Sequence, residues 1–137
     1  MRVGWLLSPD QRDFAALLLR KAGEDLAAVR ALLDNESISD DVIGFHAQQA
    51  IEKAIKAVLV VHGVAFRRAH DLNYLLQVAE DGNVEVPEHV AATRWLSPWA
   101  AEFRYDEHEI VGFSRNESLQ GAERAIEWAQ AVFEAAA

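Results

Sequence analysis

Cysteine is absent from the 137 residues, so neither a disulfide framework nor a thiolate metal site is available to this chain. Proline occurs only three times, and no Pro-rich, Gly-rich or repeated tract divides the sequence into modules. Long apolar runs are missing too. Stretches such as Ala57 to Val61 are far too short to span a bilayer, and the opening MRVGWLLSPDQRDF holds one Arg and too few apolar residues before Ser8-Pro9 for a secretory signal. A soluble, cytoplasmic protein with no membrane partner is therefore expected. Positive charge is scarce: 13 Lys and Arg stand against 22 Asp and Glu, for a net charge of −9. The imbalance is uneven, with 9 basic and 10 acidic residues in 1–79 but 4 and 12 in 80–137, so only the first part is suited to a polyanion. Lys53, Lys56, Arg67 and Arg68 form its candidate basic patch.

What the sequence has is helical periodicity. A chain that is 51% apolar at this length suits one domain, residues 1–137, with a single core. Ser8-Pro9-Asp10-Gln11 reads as a helix start, with Ser as cap, Pro at the first helical position and Gln three residues after the cap. A first helix then runs to about Leu33, with Ala15, Leu18, Ala22, Leu26, Val29 and Leu33 on its apolar line. A second begins near Ser39 or Asp40 and stops at Gly63, a natural left-handed cap. Asp71 caps a third that carries Leu72, Leu75, Leu76 and Ala79 and ends at Asp81-Gly82. Pro87 opens a fourth with Val90, Ala91 and Trp95, which Ser97-Pro98 should kink or restart, leaving Trp99 to Arg104 as a separate piece. Ser114 to Glu117 is a second capping-box pattern, opening a helix with Leu119, Ala122, Ile126, Ala129 and Phe133 on one face. Nothing reads as a strand. The expected fold class is all-α: an antiparallel up-and-down bundle of four main helices plus a short interrupted one.

Several enzyme signatures are missing. A di-iron bundle needs Glu-x-x-His pairs, and none of the five His has Glu three residues before it. No Gly-rich phosphate loop, His-Glu-x-x-His or Gly-x-Ser-x-Gly occurs, so neither a metal nor a cofactor is expected. Three polar clusters remain. His46, Gln49 and Lys53 recur along one line of the second helix beside the small Ala50 and Ala57, while Ala47, Ile51, Ala54, Ile55, Val58, Leu59 and His62 form its core side. This line is expected to face a groove. His70-Asp71 is the second cluster and Arg104-Tyr105-Asp106-Glu107-His108 the third. Each also has a plain structural use: His46 and the glutamines can satisfy a helix interface, Asp71 can serve only as an N-cap, and Arg104 can pair with a local carboxylate.

The run FHAQQAIEKAIKAVL, followed by His70-Asp71-Leu72 and then Arg104-Tyr105-Asp106, resembles the HEPN family, the higher eukaryotes and prokaryotes nucleotide-binding domains. Ala22-Gly-Glu-Asp25-Leu26 followed by Leu32-Leu33 is similar to that family's first helix. The resemblance covers nearly the whole chain and implies a helical bundle. It further implies one of two activities. Some members bind nucleotides or RNA and sit beside a minimal nucleotidyltransferase in toxin–antitoxin pairs; others are metal-independent endoribonuclease toxins that act as homodimers through an Arg followed, several residues later, by His. Here Arg104 stands in that place and His108 follows after three residues, a shorter spacing than the family motif. The resemblance therefore implies His46, Gln49, Lys53, His70, Asp71, Arg104 and Asp106 as ligand-binding residues, with Arg104 and His108 catalytic if RNA is cleaved. In such a site His would move the proton and Arg would hold the phosphate, with no metal required. Trp95, Trp99 and Phe103, around Pro98, are expected to help form a two-fold interface that brings the two Arg104 segments together.

Overall fold

In the computed structural model, which describes residues 7–100 and 113–136, α1 spans Pro9–Leu32, α2 Asp40–Val61, α3 Leu72–Asp81, α4 Glu88–Ala91 and α5 Arg115–Ala135. A 3-10 helix, Ala92–Ala100, continues directly from α4. No strand occurs among the described residues. The helix starts follow the sequence. Ser8 Oγ accepts from the Gln11 N–H at 3.1 Å while Gln11 Oε1 accepts from the Ser8 N–H at 2.9 Å, completing the capping box ahead of Pro9. Ser114 Oγ likewise accepts from the Glu117 N–H at 3.1 Å.

The helix ends show why two loops turn where they do. Beyond α2, Gly63 adopts φ +68°, and the Val64 and Gly63 N–H groups donate to the carbonyls of Leu59 and Val60. This is a Schellman closure, which satisfies carbonyls that the helix itself leaves unpaired. α3 ends the same way one residue later than expected: the left-handed residue is Asn83, φ 59°, not Gly82. Asn tolerates that conformation, and Gly82 is needed for a different reason, since a Cβ there would lie 2.9 Å from Val64 Cγ2.

α2 is the centre of an antiparallel up-and-down bundle. α1, α3, α5 and the 3-10 helix all pack on it. Ile43, Ile51, Ile55, Val58 and Leu59 are fully buried, each contributing roughly 1.5–3 kcal/mol of transfer free energy. The burial is wider than one face, extending to Gly44, Gln48, Gln49, Ala50, Glu52, Ala57, Val60 and Val61. On α1 the buried line is Ala15, Leu19, Ala22, Leu26 and Val29, so Leu19 replaces Leu18 as the inward residue. On α5 it is Ser118, Ala122, Ala125 and Ala129, with Leu119, Ile126 and Phe133 packed at the edges. Small side chains on the inward line let α5 approach α2 closely.

Around Pro98 the chain does not break. It tightens into the 3-10 helix, and at three residues per turn Thr93, Leu96 and Trp99 stack on one face, all buried, in line with the buried Val90 of α4. Trp99 is thus a core side chain: its ring lies over Gly44, its Nε1–H donates to Asp41 Oδ1 at 3.0 Å, and it packs on Trp95 and Phe113. The expectation that Trp99 offers free aromatic surface for an interface is therefore corrected, because the tighter winding turns it inward. Phe103 lies outside the described residues. Arg115, at the start of α5, ties four segments together. Its Nε donates to Asp40 Oδ1 at 2.7 Å, and its terminal nitrogens donate to the carbonyls of Leu32, Leu33, Asn35 and Ile38.

Candidate functional site

α2 carries a polar seam in the middle of the core. Gln48, Gln49 and Glu52 are buried there, and each has a partner. Asp25, projecting from α1, holds two residues of the seam: Lys53 Nζ donates to its Oδ2 and His46 Nδ1 meets its Oδ1 at 3.0 Å. One turn further along α2 the arrangement recurs. Glu52 Oε1 meets His70 Nδ1 at 2.7 Å and Lys56 Nζ at 3.7 Å. Each unit is a carboxylate shared by one Lys and one His.

The arrangement has a simple electrostatic logic. A carboxylate removed from water is costly unless its charge is met by a cation and by hydrogen-bond donors. Lys53 and Lys56 bring a cation to each carboxylate, and each imidazole adds a ring-nitrogen contact. Both imidazoles are bound through Nδ1, which leaves Nε2 as the second ring atom of each. His46 is about one-third exposed at the side chain and His70 is 61% exposed, whereas the Glu52 side chain is only 2% exposed. The seam is thus closed below and reached by solvent at its two histidines.

The residues expected from the sequence divide accordingly. Asp25 brings His46 and Lys53 together, but Gln49 turns inward, where its Nε2–H donates to Gln48 Oε1 at 2.7 Å. The expected groove line is therefore broken at its middle residue, since the packing of four elements around α2 covers that angle. His70 joins the second unit, and its carbonyl accepts from Gln48 Nε2 at 2.8 Å. Asp71 caps α3 through the Asn73 N–H at 2.9 Å and also accepts from Ser97 Oγ at 3.2 Å. Arg104, Asp106 and His108 lie outside the described residues. Of the basic patch, Lys53 and Lys56 serve carboxylates and Arg67 stacks on the Tyr74 ring at 4.1 Å from its centroid. Arg68 is exposed at the rim of a mostly apolar groove between α1 and the end of α2.

Four contributors were not foreseen as site residues: Asp25, Gln48, Glu52 and Lys56. Glu52 and Lys56 carry a local signal, being four residues apart on one helix with the acid first. Asp25 carries only its place in the run Ala22-Gly-Glu-Asp25-Leu26 that is similar to the family's first helix. Among the described residues, no three His, Asp or Glu are grouped so as to hold a metal ion, and no helix is long and apolar enough to cross a membrane.

Comparison with known proteins adds an independent finding. The sequence model of the HEPN domain matches residues 15–137. A protein of Methanocaldococcus jannaschii named "Putative toxin MJ1304" is 28% identical over 130 residues, covering 83% of this chain and 84% of its own length. No solved structure matches the chain.

Proposed function

The chain belongs to the HEPN domain family, and from that membership we propose that it is a toxin-like module that binds a nucleotide or RNA and is partnered by a minimal nucleotidyltransferase. The observation that carries this reading is the likeness to the named toxin over 84% of that protein's length, which makes the two comparable as whole chains. The module is one domain over 1–137, works in the cytoplasm and forms a homodimer. His46, Lys53 and His70 contact the ligand at the solvent side of the seam, with Gln49 and Asp71 supporting them, and Arg104 and Asp106 complete an anion site across the two-fold axis. The concentration of negative charge in 80–137 favours a small ligand or a protein partner over unaided capture of long RNA.

A second reading, which the resemblance to the family implies, is that toxicity comes from RNA cleavage. Arg104 would then hold the scissile phosphate and His108 would move the proton, without metal. One set of experiments tests both. Induced expression of the chain should arrest growth, and a minimal nucleotidyltransferase encoded beside it should relieve the arrest when co-expressed and should co-purify with the chain. Failure of both outcomes sinks the partnership. Degradation of total RNA by the purified protein in a chelator, lost in Arg104→Ala and His108→Ala, would establish the ribonuclease reading; intact RNA would leave the binding module.

A further inference from the structure

We infer that the groove between the start of α1 and the end of α2 is a docking site for an apolar, acidic segment of a partner protein. The inference does not depend on the ligand or the partner proposed above. The groove, of about 610 Å³, takes Phe14 and Leu18 from α1, Val60 from α2, and Val64 and Phe66 from the turn that follows. Phe14 is 46% exposed, a large ring with almost half its surface open to solvent. The backbone around the groove is fixed. The Schellman closure at Gly63 turns the chain out of α2, and just past Phe66 the Arg67 N–H donates to the Tyr74 hydroxyl at 2.9 Å while its guanidinium lies 4.1 Å from the centroid of that ring. Residues 64–66 are thereby held at both ends, and on the α1 side Gln11 is held by the capping box. The groove is preformed, so an occupant does not bear the cost of shaping it.

Charge selects the occupant. The polar side chains lining the groove are Gln11, Lys56 and Arg68, with no Asp or Glu among them, in a chain that carries 22 acids and 13 bases. Lys56 is shared between Glu52, at 3.7 Å, and the face of the Phe66 ring, whose centroid is 5.9 Å away. Arg68 is exposed and pairs with no described residue. It is the cation left for an occupant. Apolar side chains laid over Phe14 and its neighbours, with a carboxylate beside them to meet Arg68, complement both the surface and its charge. RNA matches less well: two cations are few for a phosphate strand, and much of the lining is aliphatic where bases would need rings to stack on. A second copy is also a poorer match. A two-fold contact would set the cations of one groove against those of the other, and a head-to-tail contact would not close into a pair.

A phage-displayed library of random peptides, selected on the immobilised full chain, provides the test. Selected peptides should combine apolar residues with Asp or Glu and, when labelled for fluorescence anisotropy, should bind the chain more weakly as salt rises. Phe14→Ser should weaken them by about tenfold and Arg68→Glu by about threefold, with the circular dichroism spectrum unchanged because both side chains are exposed. Arg68→Glu should in turn favour copies of the peptides in which Lys replaces the acid. Selection of no peptide, selection of basic peptides, or acidic peptides that bind both variants as tightly as the intact chain overturns the inference. An oligoribonucleotide that displaces the peptides and loses affinity in both variants gives the groove to RNA, and a dimer that becomes monomeric in Phe14→Ser gives it to a second copy. Either result overturns the inference as well.

Discussion

Arg115 shows how much one side chain can hold. It closes the end of α1, the 33–39 loop, the start of α2 and the start of α5 with a single planar group, mostly through backbone carbonyls at a helix end and in the loop. Its pair with Asp40 contributes little, because that carboxylate is 59% exposed. The carbonyl bonds matter more. Arg115→Ala should cost about 3 kcal/mol in urea unfolding, and Arg115→Lys should recover only part of it, since an ammonium cannot span the same fork of acceptors. Gly44 is the counterpart in packing. A Cβ there would stand 2.5 Å from the Trp99 ring, so Gly44→Ala should destabilise by about 2 kcal/mol and change the tryptophan fluorescence. Neither role was legible in the sequence, where Arg115 is one letter of a capping box and Gly44 one of seven glycines. His46 and Lys53 were legible because their spacing on a helix is fixed by 3.6 residues per turn; Asp25 was not, because its contact joins two helices.

Among the elements, starts and stops were the most readable feature, because they rest on local chemistry. Ser8, Asp71 and Ser114 cap the helices they were expected to cap, and Gly63 closes α2. Asp71→Ala should therefore lower stability by about 1 kcal/mol, measured as a shift of the unfolding midpoint; an unchanged midpoint would mean that the cap is dispensable. Gly63→Ala should cost about 1–2 kcal/mol, the penalty of a Cβ in the left-handed region. Orientation was less readable. Whether Leu18 or Leu19 faces the core depends on how α1 crosses α2, a rotation that a periodic pattern leaves free within one residue. The 3-10 helix was misjudged for another reason. Its buried residues recur every three positions, and a pattern looked for at 3.6 places Trp95 inside and misses Thr93 and Leu96.

For the molecule as a whole, the proposed homodimer gives a direct measurement. Light scattering at high micromolar concentration should report twice the 15.2 kDa chain mass, and a monomer would remove the composite anion site with it. With Trp99 in the monomer's core, that interface must be built from other surface. The central place of α2 has a kinetic meaning as well. Every other long helix could lift away and leave part of the bundle paired, but α2 cannot separate from one neighbour without disturbing the rest. Its amide protons between Ile43 and Val61 should accordingly exchange with deuterium only when the entire chain opens, and all at nearly one rate, while those of α3 and α4 exchange through smaller openings. The seam residues Gln48, Glu52 and Lys53 then sit on the last part of the protein to open, so the candidate site should persist for as long as the molecule is folded at all.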